Sequence, residues 1–220
     1  MQYKAALVDF DGTLADSMPW WLDLPRQTLI EEGIPEPEDF SEIIRRLTMR
    51  EVAVWMAEQY PHLVRDRTLR ERWESMMERN YLKRISLKPG AEELLSLLRE
   101  AGLTVVILSA TRRPLLDTAL EHFGLLPRVD RIFCEEETGS KRTEKPYLFL
   151  EEELGVSRRE MLLIEDAPLN IAAAAEQGLG TVGVYEAVMA AWQEDIRRTA
   201  DVYLRDFSDL SALRALLQMP

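Results

Sequence analysis

Two aspartates, a glycine and a threonine directly follow the first apolar run of the sequence. The run at residues 5–8 has the length of a buried strand, and Asp9, Asp11, Gly12 and Thr13 stand where that strand would end. Side chains alternate along a strand, so both carboxylates should leave on the same side. Close carboxylates repel unless a cation or a shared proton lies between them, and their hard oxygen atoms suit Mg²⁺. Gly12 would allow a turn, and the Thr13 hydroxyl could donate to an anion; an ordinary Asp-Gly turn with solvated acids is the alternative.

Charge and cysteine content limit the classes of partner and site. The 220 residues include 27 basic and 39 acidic ones, which gives a net charge of −12. This balance disfavours extended binding to nucleic acid or to an anionic membrane, and a phosphorylated substrate would need local positive charge. The single cysteine, Cys134, cannot form an internal disulfide, and the two histidines, His62 and His122, form no zinc motif with it. We predict that Cys134 is a buried strand residue.

The first residues carry no export signal that we recognise. Residues 1–4 run straight into the first predicted strand, and no apolar run is long enough to span a bilayer. We therefore expect a cytoplasmic protein that does not bind membranes.

The elements that must position the two aspartates alternate along the second part of the chain. Apolar, β-branched runs alternate with segments of helical periodicity from residue 86 onward, which predicts an α/β fold with a Rossmann-like parallel sheet and right-handed crossovers. The predicted strands are residues 103–109, 131–134, 161–164, 181–184 and 202–204, and the predicted helices are residues 91–100, 114–123, 146–154, 171–177 and 187–198. We assign residues 1–15 and 86–220 to this core domain.

Residues 16–85 read as a helical insertion into the core domain. Large apolar residues recur near helical spacing, and prolines at positions 35, 37 and 61 mark breaks. We interpret the tryptophans and methionines of this segment, such as Trp73, Met76 and Met77, as the core of a small helical domain. A stacking site for an aromatic ligand is the alternative.

Further polar residues close other predicted strands. Ser109 ends the strand at residues 103–109, and Glu165 and Asp166 follow the strand at residues 161–164. The carboxyl ends of parallel strands share one edge of a sheet, where ligands bind, so these residues should meet Asp9 and Asp11. Lys141 and Lys145, in the preceding loop, could balance the acids.

These residues resemble the motifs of the haloacid dehalogenase-like (HAD) hydrolases with a helical cap, a group that includes phosphoglycolate phosphatase and β-phosphoglucomutase. The resemblance covers nearly the whole chain. Residues 9–13 match the motif DxDGT in full, Ser109 matches the strand-closing Ser or Thr, and Glu165 and Asp166 match the acidic pair. Ala167 stands where family members often have Ser.

The lysine motif of the family fits two positions. The spacing to Asp166 that is common in the family indicates Lys141, whereas the usual Lys-Pro pair is Lys145-Pro146. Proline favours only a first helical turn, so we prefer Lys141 and interpret Lys145 as a solvated loop charge.

The resemblance implies a Mg²⁺-dependent phosphatase that forms an aspartyl-phosphate. Asp9 would be the nucleophile and Asp11 the general acid and base. Mg²⁺ would be held by Asp9, the backbone carbonyl of Asp11 and Asp166, with support from Glu165. Ser109 and Lys141 would bind the phosphoryl oxygens, and the helical cap would close over the site.

Substrate-binding residues are predicted at four further positions. Thr13 and Ala110 lie in the motifs, Arg112 directly follows the Ser109 strand, and Arg50 follows Thr48 at the start of a cap helix. We expect a small phosphorylated metabolite; the sequence indicates neither its identity nor an oligomeric state.

Three alternatives use related residues. A dehalogenase of this fold needs no acid two residues after its nucleophile, so Asp11 argues against it. A phosphomutase shares the core residues, but the mutase-like pattern would have a lysine near Met76 and Met77, where the nearest basic residue is Arg79. A non-catalytic receiver domain would group its acids differently and has no use for a helical insertion.

Overall fold

The computed structural model describes residues 3–47, 49–64 and 68–219, apart from the side chain of Arg45. Thr48, which precedes Arg50, lies outside the described residues. The chain divides into two compact units. We call Met1–Asp16 with Ser86–Pro220 the sheet unit, and Ser17–Ile85 the helical unit.

The sheet unit contains six parallel strands in the described part of the chain. They are β1 (Ala5–Val8), β2 (Thr104–Ser109), β3 (Arg131–Cys134), β4 (Met161–Glu165), β5 (Gly180–Val184) and β6 (Val202–Leu204). Their order across the sheet is β3-β2-β1-β4-β5-β6, and every neighbouring pair is parallel. This arrangement confirms the predicted α/β fold class.

The register places β1 between β2 and β4, whose ends carry other predicted site residues. Val8 pairs with Ile107 of β2 on one side and with Ile164 of β4 on the other. The backbone N–H of Asp9 donates to the Ile164 carbonyl at 3.0 Å, so Asp9 leaves the sheet between two neighbouring strand ends. All residues of β1, β4 and β5 are buried, as expected for strands covered on both faces.

Seven helices of the sheet unit lie among the described residues. They are α5 (Ala91–Glu100), α6 (Arg113–His122), α7 (Glu135–Thr138), α8 (Lys145–Leu154), α9 (Pro168–Glu176), α10 (Gln193–Thr199) and α11 (Ser211–Leu216), where the labels α1 to α4 belong to the helical unit. Tyr147 and Leu150 of α8 and Ala174 of α9 pack in one apolar cluster with β1, β2 and β4. Cys134 is buried at the end of β3, as predicted.

The last part of the sheet unit differs from the predicted helices. Residues 187–198 do not form one helix: Ala187–Trp192 is a 3₁₀ segment, Met189 has non-helical backbone angles, and α10 begins at Gln193. The Gln193 side-chain amide donates to the carbonyls of Glu186 and Met189, which fixes this break. The short helix α11 was not predicted from the sequence.

The helical unit consists, in its described residues, of four helices and the 3₁₀ segment Pro61–Val64: α1 (Met18–Glu31), α2 (Phe40–Arg46), α3 (Met49–Gln59) and α4 (Leu69–Lys83). Trp73 of α4 is buried, and its indole N–H donates to Thr28 of α1 at 2.9 Å. Met76 and Met77 are also buried, as predicted. Trp20, Trp21 and Trp55 are only half-buried, so the predicted tryptophan core is partial.

Among the described residues, every helix is too short or too polar to cross a lipid bilayer.

Candidate active site

A tight turn after β1 presents the first aspartates. Gly12 has a φ of +86°, a conformation that L-residues with a side chain rarely adopt. The turn is closed by bonds from the N–H of Gly12 to the Ala15 carbonyl and from the N–H of Leu14 to the Phe10 carbonyl, each at 2.9 Å. Phe10 itself is buried, as predicted, and its ring lies 6.3 Å from that of Phe123. Phe10 thus packs in the core, and the polar side chains of residues 9, 11 and 13 are the ones that can form a site.

Lys141 joins two of the strand-end acids. Its ammonium donates to Asp9 at 2.5 Å, to Glu165 at 2.6 Å and to the backbone carbonyl of Leu108 at 3.1 Å. All three charged side chains are almost completely buried. The Lys141 carbonyl accepts from the Tyr147 hydroxyl at 2.8 Å, so α8 fixes the loop that carries the lysine. Lys145, in contrast, is exposed as the first residue of α8.

Asp166 completes a buried carboxylate cluster. One oxygen each of Asp9, Glu165 and Asp166 lies within 4.8 Å of the others. The Thr13 hydroxyl donates to Asp166 at 2.9 Å, which links the turn after β1 to the end of β4. Glu165 also accepts from the backbone N–H groups of Asp166 and Ala167, at 3.2 and 3.1 Å. These bonds fix the acidic pair in one orientation.

The cluster has more negative than positive charge. With all groups ionised, three carboxylates face the single ammonium of Lys141, which leaves two negative charges in excess. Burial and the neighbouring Glu165 raise the pKa of Asp9 to about 8, and burial, Glu165 and Asp9 likewise raise the pKa of Asp166. Burial by itself would lower the pKa of Lys141, but the Asp9 and Glu165 carboxylates raise it well above its usual range. The lysine therefore stays charged.

This donor set fits a hard divalent cation. A buried site with surplus negative charge is stabilised by protons or by a cation, and it offers only oxygen ligands, which suit Mg²⁺ better than a soft metal. Asp11 is outside the group of three: its carboxylate accepts from the Thr111 hydroxyl at 2.7 Å. Of the predicted metal ligands, the structure thus brings the side chains of Asp9, Glu165 and Asp166 together, while the backbone carbonyl of Asp11 stays a prediction.

Ser109 lies at the end of β2, on the other side of β1 from the acidic pair. Its side chain is buried, and its oxygen accepts from the backbone N–H of Thr111 at 3.1 Å. A hydroxyl that accepts a bond can still donate its own proton, so Ser109 could donate to a substrate oxygen. The exposed Ala110 follows directly after Ser109.

The predicted substrate-binding residues have different surroundings. Arg112 forms an ion pair with Glu136 at 3.0 Å and is more than a third exposed. Arg50 is exposed on α3 of the helical unit. The Thr13 hydroxyl donates to an anion of the protein itself, the Asp166 carboxylate. Substrate contacts of Ala110, Arg50, Arg112 and Thr13 remain predictions.

Sequence reasoning missed a buried ion pair beside the cluster. Lys88 lies 2.9 Å from Glu186 and donates to the Tyr185 carbonyl at 2.7 Å, while its own N–H donates to Leu14 at 2.8 Å. The charge of Lys88 lowers the pKa of Asp166, although burial and the neighbouring acids raise it more. Glu186 lies two residues beyond the end of β5, and Asp166 directly follows β4, so the rule of strand ends could have identified Glu186 as well. Thr111 was missed as well.

Comparison with known proteins gives a family match over most of the chain. The model of the haloacid dehalogenase-like hydrolases matches residues 3–178. A protein of Caldanaerobacter subterraneus, provisionally named pyrophosphatase PpaX, is 26% identical over 197 residues, which are 86% of this chain and 84% of that protein.

Solved structures show the same fold. A HAD family hydrolase of Deinococcus radiodurans, solved with bound phosphate and sodium, has a TM-score of 0.71 at 23% identity and covers 99% of this chain and 97% of its own. A structure from Thermotoga maritima, provisionally described as β-phosphoglucomutase, has a TM-score of 0.71 at 21% identity and covers 99% of this chain and all of its own.

Proposed function

Because this chain belongs to the haloacid dehalogenase-like hydrolases, we propose that it is a Mg²⁺-dependent phosphatase that hydrolyses a small phosphorylated metabolite through an aspartyl-phosphate at Asp9. The supporting observation is the buried set of Asp9, Lys141, Glu165 and Asp166 at the carboxyl ends of β1 and β4.

Asp9 has the surroundings that a nucleophile for phosphorus needs. Burial raises the pKa of Asp9, and the contact with the Lys141 ammonium opposes this rise, so the lysine, together with Mg²⁺ when bound, would favour the anionic form that attacks. In the first step an Asp9 oxygen forms a bond to phosphorus while the bond from phosphorus to the leaving oxygen breaks. In the second step a water oxygen attacks phosphorus, and Asp9 is released as a carboxylate.

Asp11 acts as the general acid in the first step and as the general base in the second. It gives a proton to the leaving oxygen as the ester bond breaks, and it takes a proton from the attacking water in the second step. The carboxylate is half-buried and accepts a hydrogen bond from the Thr111 hydroxyl at 2.7 Å.

Two further groups would bind the phosphoryl oxygens. Ser109 has a hydroxyl proton available for this purpose, and Lys141 supplies a fixed positive charge beside Asp9. Mg²⁺ would be held by Asp9 and Asp166, with the Asp11 carbonyl and support from Glu165. When bound, its positive charge would reduce the repulsion between the anionic phosphoryl group and the Asp9 carboxylate. An acidic protein can thus accept an anion.

The helical unit is the proposed cap. Its role would be to exclude bulk water and to select the leaving group. The relative named pyrophosphatase PpaX makes inorganic pyrophosphate a specific candidate among the substrates, beside phosphate monoesters such as phosphoglycolate.

The test is a panel of phosphorylated compounds that includes pyrophosphate, phosphoglycolate and sugar phosphates, with release of inorganic phosphate as the readout. We expect hydrolysis of at least one compound with Mg²⁺ and its loss after exhaustive chelation. Full activity after chelation would contradict the metal dependence, and activity that survives in Asp9→Asn would contradict the nucleophile.

Phosphomutase activity is the second candidate, since a structural neighbour is described as a β-phosphoglucomutase. Met76 and Met77, where the mutase-like pattern would have a lysine, are buried in the helical unit, which favours hydrolysis. Phosphorus NMR on β-glucose 1-phosphate with Mg²⁺ and a trace of bisphosphate separates the two: conversion to glucose 6-phosphate without free phosphate would overturn the hydrolase proposal.

A further inference from the structure

Thr111 has a side chain that contacts the proposed general acid. Its hydroxyl donates to Asp11 Oδ2 at 2.7 Å, and the residue is only 7% exposed. We infer that Thr111 is a positioning residue for Asp11, which selects the oxygen through which Asp11 exchanges its proton; this inference rests on the proposed function.

The position of the Thr111 hydroxyl is fixed by the sheet. β1 and β2 are neighbouring parallel strands in which Val8 pairs with Ile107, so the residues just beyond both strands meet at one edge. The N–H of Thr111 donates to Ser109 Oγ at 3.1 Å, which fixes the backbone from which the hydroxyl extends. A β-branched side chain has few χ1 rotamers, so the hydroxyl direction is restricted as well.

This hydrogen bond orients the Asp11 carboxylate. With Oδ2 oriented by the Thr111 hydroxyl, we assign the proton that is exchanged in the reaction to the other carboxylate oxygen. As the bond from phosphorus to the leaving oxygen breaks, that other oxygen gives up its proton; it takes a proton from water in the second step. Asp11 Oδ2 stays bonded to Thr111 in both.

A role of Thr111 in binding the substrate is less consistent with this contact. A threonine hydroxyl has one proton to donate, and in the structure that proton goes to Asp11. Ser109, two residues earlier, has its hydroxyl proton available and is the better donor to a phosphoryl oxygen.

The test compares Thr111→Val, which keeps the branched shape and removes the hydroxyl, with Thr111→Ser, which keeps the hydroxyl. Thr181→Val is the matched control, because buried Thr181 also bonds a carboxylate, Asp201 at 3.3 Å, but lies near the amino end of β5. The probes are p-nitrophenyl phosphate and phenyl phosphate, similar in size, of which the second has the leaving group that needs a proton more. The readout is kcat/KM, which covers the steps up to leaving-group departure.

We expect Thr111→Val to lose about tenfold more kcat/KM on phenyl phosphate than on p-nitrophenyl phosphate, a fraction of the effect of a whole general acid. Thr111→Ser and Thr181→Val should keep the wild-type ratio. An equal loss of Thr111→Val on both probes, no loss, or a Thr111→Ser variant as selective as Thr111→Val would overturn the inference alone. Absence of Asp9-dependent hydrolysis in the wild-type enzyme would overturn the proposed function and the inference together.

Discussion

The sheet unit and the helical unit differ in what they bury. Among the described residues, all buried charged side chains belong to the sheet unit: Asp9, Lys88, Lys141, Glu165, Asp166 and Glu186. The buried polar residues of the helical unit are Ser17, Thr28 and Asn80, which carry no charge. Burying charges costs folding free energy unless they are paired, and buried charged groups concentrate at functional sites. The difference supports the proposal that the chemistry takes place in the sheet unit.

Charged residues of the helical unit pair instead at its surface. Arg72 contacts Glu31 and Glu32, and Arg26 contacts Glu36; all three glutamates are a third or more exposed. Such pairs contribute little to stability because water and salt screen them. Replacing the basic residue of an ion pair should therefore lower the stability of the sheet unit, where the pair is buried, more than that of the helical unit, where the pairs lie at the surface.

The largest expected effect is that of removing the nucleophilic charge. Asp9→Asn keeps the size of the side chain but should lower turnover at least about a hundredfold, since covalent catalysis contributes several orders of magnitude. Steady-state phosphate release measures this. Asp195→Asn, at the exposed ion pair with Arg198 on α10, is the control and should stay within about twofold of wild type. More than about a hundredth of wild-type activity in Asp9→Asn would break the assignment.

The two lysines give the next effect. Lys141→Ala should lower kcat strongly, by about a hundredfold, because it removes the charge that holds Asp9 and Glu165. Lys145→Ala, its matched control, should have little effect because Lys145 is exposed. The opposite ranking in the same assay would show that the Lys-Pro pair, and not the spacing to Asp166, identifies the catalytic lysine.

The free energy of unfolding of each unit tests the difference between the buried Lys88–Glu186 pair and the surface pairs of Arg72. Lys88→Met should destabilise the sheet unit by about 3 kcal/mol or more, because it leaves Glu186 buried without its partner. Arg72→Met should cost the helical unit less than about 1 kcal/mol. Adding Glu186→Gln to Lys88→Met should recover part of the loss.

Each unit has its own spectroscopic or chemical reporter for this measurement. Cys134 is buried in the sheet unit, and burial raises the pKa of its thiol to about 12, so alkylation in urea reports opening of that unit. In a Trp192→Phe background the remaining tryptophans, Trp20, Trp21, Trp55 and Trp73, all belong to the helical unit. Equal losses in both units would contradict the difference between buried and exposed pairs.

The sequence predicted correctly which residues lie close together where one rule applies, namely that the carboxyl ends of parallel strands meet at one edge of the sheet. It predicted the α/β fold, the burial of Cys134 and the meeting of Asp9 with Glu165 and Asp166. It missed the Lys88–Glu186 pair because Lys88 lies in a Lys-Pro-Gly turn that gives no periodic signal. The contact of Thr111 with Asp11 depends on side-chain rotamers, which residue type and spacing do not specify. The break of the helix near Met189 also depends on side-chain contacts, such as the cap by Glu186, that the sequence pattern does not specify.

The most direct test of the central claim is to trap phosphate on Asp9. The Asp11→Asn variant should still be phosphorylated by p-nitrophenyl phosphate, whose leaving group needs no proton, but should react slowly with water, so the phosphoenzyme should accumulate. We expect a burst of p-nitrophenol and, after acid quenching, mass spectrometry that finds the phosphate on Asp9 and its absence in Asp9→Asn/Asp11→Asn. Release of p-nitrophenol with phosphate on another residue, or on none, would contradict the account.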